Sequence, residues 1–283
     1  MPSSIKTGAI RSIAVALDCS PHSRASLDAA AELAARLKAE LIGIFVEDIN
    51  LLHLAGLPFF EEVRLYSTTT EKLDPDQLER LLRLQARQAG EMLQRTSETF
   101  RLRHTFRALR GIVPEIIMSA ATDADMIVLG RSGRSPSCRK GLGSTAMAAF
   151  WEGKKSVMLM RPGVTAADGP LMVLYDGSES SRHALETALA ISGPESSLHL
   201  IVTNPDPDAE EHCRHEVGAL VESSGIAAEY HHLALTDPHQ FARYVRMIDS
   251  GLLVLGNRLN IPEEILRTLV DEIDYPVLMV RPE

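Results

Sequence analysis

Cysteine is scarce in this chain: Cys19, Cys138 and Cys213 are the only three, far apart and never in a CxxC pair. That excludes a disulfide framework and an all-cysteine zinc site, and it fits a reducing compartment. Long apolar runs are missing too. Nothing reaches the roughly 18 consecutive apolar residues of a membrane helix, and no long apolar stretch precedes the first strand. A membrane span and a secretory signal are therefore disfavoured, and a cytoplasmic protein is expected. Positive charge is in deficit, with a formal balance of -9, so general nucleic-acid binding is not expected. Two phosphate-binding signatures are also absent. No Gly-Lys-Ser/Thr ending marks a Walker loop, and no GxGxxG follows the first strand.

What is present is material for two cores: 283 residues, 45% hydrophobic and 24% charged, at roughly 100 to 200 residues per domain. The charge is unevenly spread. Residues 1–163 carry 22 Lys and Arg against 18 Asp and Glu, whereas residues 164–283 carry 7 against 20. An anionic ligand is favoured in the first half, and the acidic second half is suited to solubility or to another partner.

Periodicity supplies the organisation. Arg11 to Leu17 is a short apolar run ending at Asp18, followed by Ser20-Pro21 and an Ala/Leu-rich stretch to Leu37, then a second apolar run from Leu41 to Val46. The pattern predicts strand, capped helix, strand: the unit that builds parallel sheets with right-handed crossovers. Residues 49–70 look like an insertion, and the leucines at 78, 81, 82 and 93 predict a long amphipathic helix over about 73–101. The half closes with strands predicted at Thr105 to Leu109, Met126 to Leu129 and Val157 to Met160, and helices at Pro114 to Ala121 and Ser144 to Trp151.

The same order then restarts. Leu171 to Ser178 answers Ile13 to Ser20, each a strand ending in Asp-x-Ser; Ser250 to Gly256 answers Ala124 to Gly130; Val277 to Pro282 answers Val157 to Pro162. Three landmarks in one order imply a tandem duplication, with domains at 1–163 and 164–283 and a linker at 163–170. The expected fold is α/β: two tandem open, mostly parallel five-stranded sheets with helices on both faces.

One loop carries chemistry. Gly130-Arg-Ser-Gly133 leads after a strand through Arg134, Arg139 and Lys140 to Gly143-Ser144-Thr145 at the start of a helix. Glycines let backbone amides approach phosphates closely, a helix N-terminus favours anions, and residues 131–140 hold four cations and no acid. Taken alone, the loop reads equally as a solvated surface segment with capping residues.

The spacing Gly130-x2-Gly133-x9-Gly143-Ser144 resembles the ATP-binding loop of the universal stress protein family. Asp18 after the first strand, Phe45-Val46-Glu47-Asp48 and the closing strand with Arg161-Pro162 are similar to that family too, and the duplication resembles its tandem members. The resemblance implies an adenine-nucleotide site, with ATP and accompanying Mg2+. It places Asp18 at the ribose or its vicinity and the backbone of Val46 at the adenine edge, with Ala16, Leu17 and Arg131 also among the expected nucleotide-binding residues. Gly130, Gly133, Gly143, Ser144 and Thr145 would surround ribose and phosphates. It also implies a homodimer or an internal pairing of the two halves through Val157 to Met160 and Val277 to Val280, and a regulatory protein partner. For Asp18 the plain alternative is a helix cap.

The second half departs from the pattern. After Gly256 come Asn257 to Pro262, with no second glycine and no Gly-Ser, so one nucleotide per chain is expected. His212-Cys213-x-His215 and His231-His232 read as solvated faces rather than a metal site, and the cysteines as inert. Two mechanisms fit: a non-enzymatic nucleotide-dependent sensor, or a slow ATPase or autophosphorylating protein using Ser144 or a neighbouring hydroxyl. The loop sequence favours the first, because it contains no carboxylate or glutamine to orient water. A third reading is a nucleotide-free interaction scaffold. Residues 49–101 read as a lid, a partner surface or a plain helical extension.

Overall fold

The computed structural model describes residues 10–57, 61–63, 70–72, 74–133, 141–163, 169–193, 196–203, 207–235, 237–248 and 251–282. The first strand, β1 (Ser12–Ala16), ends in a turn at Asp18 that delivers the chain to helix α1 (Pro21–Leu37). Ser20 caps that helix by accepting a hydrogen bond from the Ser23 amide at 3.1 Å, and Pro21 sits in the first turn, where a missing N–H costs nothing. Lys38 ends the helix in the left-handed region at φ 56. Strand β2 (Glu40–Asp48) then pairs in parallel with β1.

The 49–101 stretch holds a short helix α2 (Ile49–Ala55), a two-stranded ribbon of β3 (Glu61–Val63) and β4 (Thr70–Lys72), and the long helix α3 (Pro75–Phe100). The predicted amphipathic helix is there: its buried stripe of Leu82, Ala86, Ala89, Leu93 and Ser97 recurs every three or four residues. The first half continues with β5 (His104–Gly111), α4 (Val113–Ala120), β6 (Met126–Gly130), α5 (Ser144–Met147) running on as a π-helical turn over Ala148–Glu152, and β7 (Ser156–Met160).

The second half repeats the plan in compressed form. It comprises β8 (Leu171–Tyr175), α6 (Glu179–Ile191), β9 (Leu198–Val202), α7 (Pro207–Ser224), β10 (Ala228–His232), α8 (Pro238–Met247), β11 (Leu252–Gly256), α9 (Glu263–Glu272) and β12 (Val277–Val280).

Ten strands form one sheet in the order β10-β9-β8-β11-β12-β7-β6-β1-β2-β5. Each half contributes five parallel strands, and the two blocks meet at an antiparallel seam where Val277, Leu278 and Met279 of β12 face Leu159, Met158 and Val157 of β7. The two terminal strands of the repeats thus pair within one chain. Strands such as β7, β8 and β9 are buried along their whole length, as expected where helices cover both faces. One face packs on α1, α3, α6 and α7, the other on α4, the α5 region, α8 and α9, so the molecule is a three-layer α/β/α structure. Among the described residues, no helix is long and apolar enough to cross a membrane.

Candidate functional site

At the carboxyl ends of β1, β2 and β6 lies a cleft of about 680 Å³. Open parallel sheets place ligand sites at this edge, and the volume falls within the roughly 300 to 1,000 Å³ of small-molecule pockets. Of the residues expected from the sequence, Ala16, Leu17, Asp18, Val46, Gly130, Gly133, Gly143, Ser144 and Thr145 all line it.

Arg131 does not. Its side chain turns away from the cleft into the seam between the halves and is 1% exposed. There its guanidinium donates to the backbone carbonyls of Ile273, at 3.3 Å, and Val270, at the end of α9. Burial, with Arg161 nearby, pulls its pKa down to about 10, against the opposing pull of Asp271 and Asp274. Arg131 contributes to the cleft region through its backbone: its N–H donates to Met160 and its carbonyl accepts from the Gly143 amide at 2.8 Å. That bond ties the two ends of the glycine loop together. Arg134, Arg139, Lys140 and Cys138 lie outside the described residues.

The glycines are not equivalent. A Cβ at Gly130 would stand 2.7 Å from His22 Cβ, so this position is small because β6 and the start of α1 touch. A Cβ at Gly133 would sit 3.1 Å from Asp18 Oδ2, which puts that carboxylate against the loop backbone. At Gly143 the contacts would be ordinary, 3.5 Å or more, and its φ of -66 is open to any residue. Gly143 is therefore not there for a left-handed backbone. It begins α5 with no side-chain cap among the described residues, beside the cleft.

Asp18 stabilises the turn into α1 and also lines the cleft. Its Oδ1 accepts from the Ser20 amide at 2.9 Å, an Asx turn into α1, while Oδ2 faces Gly133. Cys19, between them, is held at φ 60, an uncommon place for a residue with a Cβ.

Several residues were missed by sequence reasoning. The 49–101 elaboration supplies Asn50, Leu51, Leu82 and Gln85 to the cleft wall, and the start of α4 supplies Ile112, Val113, Pro114 and Ile117. The cleft therefore contains carboxylates (Asp18, Asp48) and a glutamine (Gln85), although the glycine loop by itself has none. Ser132, also in the lining, is 3.0 Å from Nε2 of His22. Burial first, and then Arg161, lowers the His22 pKa, which favours the neutral ring. The signal for the apolar wall was the run Ile112-Val-Pro114 at a strand end; for His22 and Ser132 no short-range signal exists, since they lie 110 residues apart.

The family follows from a direct match. Residues 9–161, more than half of the chain, match the Universal stress protein family. The chain belongs to the universal stress protein family. Two solved structures extend the likeness over its whole length. A universal stress protein from Archaeoglobus fulgidus DSM 4304 is similar at a TM-score of 0.71 and 16% identity, covering 95% of this chain and 98% of that one. A functionally unknown protein from Pseudomonas aeruginosa PAO1 is similar at 0.61 and 14%, covering 98% and 94%. At such identities the likeness is one of fold. No curated protein matches the sequence. This universal stress protein is a tandem member: the family match ends at residue 161, and the same strand and helix plan then repeats.

Proposed function

We propose that this tandem universal stress protein, with domains at 1–163 and 164–283, binds one adenine nucleotide, ATP with Mg2+, in the cleft of its first half and acts as a nucleotide-dependent regulator. The observation that carries the reading is convergence: every expected site residue except Arg131 lines one cleft at the carboxyl end of the sheet. The chemistry of the lining suits such a ligand. Apolar Ile44, Phe45, Ile112, Val113 and Pro114 offer a flat face for a base, Asp18 a carboxylate for ribose hydroxyls, and the Gly133 and Gly143–Thr145 amides donors for phosphate oxygens. Asp18 and Asp48, the carboxylates among the described lining residues, would hold an accompanying Mg2+.

Regulation would come from order. A ligand shifts a population only by its differential affinity for two states, and a loop tied at Gly143 to Arg131 is a segment whose state a nucleotide can bias. Calorimetric titration of the full chain with ATP, against a Gly143→Val variant of unchanged fold, tests the site. Equal affinity in the two proteins would refute it. A second reading, slow hydrolysis or autophosphorylation, draws support from Gln85 and from the Ser132–His22 pair. Phosphate release by wild type and by Gln85→Ala separates it from a purely binding role.

A further inference from the structure

Three side chains at the opposite edge of the sheet have no part in the nucleotide reading. β10 is the outermost strand of the second half and pairs in parallel with β9, with Glu229 opposite His199 and His231 opposite Ile201. Successive residues of a strand alternate between faces, so Glu229 and His231 share a side of the sheet with His199. Their neighbours confirm the assignment: Ala228 and Tyr230 pack on the other face with Leu198 and Leu200.

The donor atoms converge. His199 Nδ1 lies 2.9 Å from His231 Nε2, with the rings 29° from parallel, and Glu229 Oε2 is 3.6 Å from the same His199 nitrogen. All three ligand atoms lie within 4.8 Å of one another. Burial is graded across the group, since His199 is 9% exposed while the Glu229 side chain is 72% exposed. Two imidazole nitrogens facing each other can share only one proton as a hydrogen bond. A metal ion satisfies both lone pairs and the carboxylate at once.

The distances fit an ion of one class. Zinc takes nitrogen and oxygen donors at about 2.0 to 2.2 Å in tetrahedral geometry, which spaces the donors about 3.3 to 3.5 Å apart. The imidazole nitrogens, now 2.9 Å apart, would open by about 0.4 Å, and the carboxylate, 3.6 Å from His199 Nδ1 and within 4.8 Å of the His231 nitrogen, would close by up to about 1.4 Å, a movement that rotation of the 72% exposed Glu229 side chain allows. Imidazole donors select against Mg2+ and Ca2+, which prefer all-oxygen shells. We propose that His199, Glu229 and His231 form a binding site for a divalent transition ion of the zinc class, with its fourth position open to solvent. Such an ion would clip the edge strand β10 to β9. Across six strand spacings of about 4.8 Å the site stands roughly 30 Å from the first-half cleft, so it neither needs nor disturbs a nucleotide there.

The test uses the full chain, freed of metal by dialysis against EDTA, titrated with ZnCl2 by calorimetry beside MgCl2. One Zn2+ per chain is expected, at least 100-fold tighter than Mg2+, with a rise in thermal midpoint upon Zn2+ addition. His231→Asn and the surface variant Glu229→Gln should each weaken Zn2+ at least tenfold; the second is exposed enough to leave the fold unaffected. His53→Ala, at an exposed histidine in α2, should change nothing. Co2+ provides an optical check, since its tetrahedral visible bands should appear with the wild type and vanish in His231→Asn. Zn2+ binding that is absent, that is no tighter than Mg2+, or that persists unchanged in His231→Asn and Glu229→Gln would overturn the site.

Discussion

Replacing Arg131 by methionine separates two roles for one residue. As a phosphate ligand, Arg131 would matter for binding and little for stability; as an anchor between the halves, the reverse holds. The structure supports the anchor: its guanidinium is 1% exposed and hydrogen-bonded to the carbonyls of Val270 and Ile273, while its Nε has no partner among the described residues. Methionine fills similar volume but leaves both carbonyls at the end of α9 without a donor. Each hydrogen bond to a charged donor is worth about 1.5 to 3 kcal/mol, and a stranded buried acceptor costs a similar amount. Against this stands the relief of a buried charge whose desolvation already lowers its pKa to about 10. Among the described residues no acidic side chain is hydrogen-bonded to it, so the carbonyls are left behind rather than removed with it. The loss should dominate, at about 2 to 4 kcal/mol. The single tryptophan reports on the same seam, because Trp151 stacks beneath Arg267 of α9 at 4.7 Å. Urea unfolding followed by its fluorescence should show the midpoint fall and the transition broaden as the halves uncouple. ATP affinity should change far less than tenfold. A variant of wild-type stability that has lost ATP affinity by 100-fold would refute this account and restore Arg131 to the phosphates.

The remaining predictions concern the cleft and its turn. Gly130→Ala should destabilise by about 1 to 3 kcal/mol, since the new Cβ would press on His22 at 2.7 Å, which a melting curve reads directly. Asp18→Ala should cost about 0.5 to 2 kcal/mol of stability through the lost Asx turn and, in a separate calorimetric titration, weaken ATP. Cys19→Val should lose about 1 to 2 kcal/mol because a β-branched residue tolerates φ 60 poorly, while Cys19→Gly should remain within about 1 kcal/mol of wild type. His22 has a folded pKa below 6.5, so the unfolded chain takes up its proton first; the stability it contributes is complete above pH 6.5 and is lost as the pH falls towards the folded value. In His22→Asn that part of the pH dependence should vanish, as denaturation series at several pH values would show.

The α/β plan, the tandem order and the long helix were legible because each is local: apolar runs, alternating β and α units, and a stripe at helical spacing. The cleft residues on the glycine loop were legible for the same reason. Arg131 was not, because a cation among glycines reads as a phosphate ligand, and only the antiparallel seam between β7 and β12 brings the end of α9 against it. The walls contributed by Leu51, Leu82 and Gln85 come from the elaborated segment, whose position over the cleft depends on how α2 and α3 pack. His199 was passed over since it sits alone in an apolar strand; the register of β9 with β10 supplies its partners, 30 and 32 residues away.

The two halves also show which glycines the packing of the fold requires. Gly256 occupies in β11 the place of Gly130 in β6, and a Cβ there would fall 2.5 Å from the backbone oxygen of Ser180, the counterpart of His22. Both positions are small because a strand end touches the first turn of the helix that follows the Asp-x-Ser turn, so a glycine stands there in both halves although only the first half goes on to Gly133 and Gly143. In the second half that turn is also self-satisfied. Asp176 accepts from the Ser178 amide and hydroxyl with one oxygen and from the Asn260 amide with the other, and Ser180 binds Asn257 and the Arg258 amide. The loop has closed on the carboxylate that in the first half faces the cleft. A ligand entering there would have to break those bonds before making its own, in a half whose charges are 7 basic against 20 acidic. The asymmetry therefore lies in the loop chemistry and not in the fold: at the carboxyl ends of the first half's strands Gly133 and Gly143 line a cleft, whereas at the corresponding ends in the second half Asn257 and the amides of Arg258 and Asn260 bond Ser180 and Asp176.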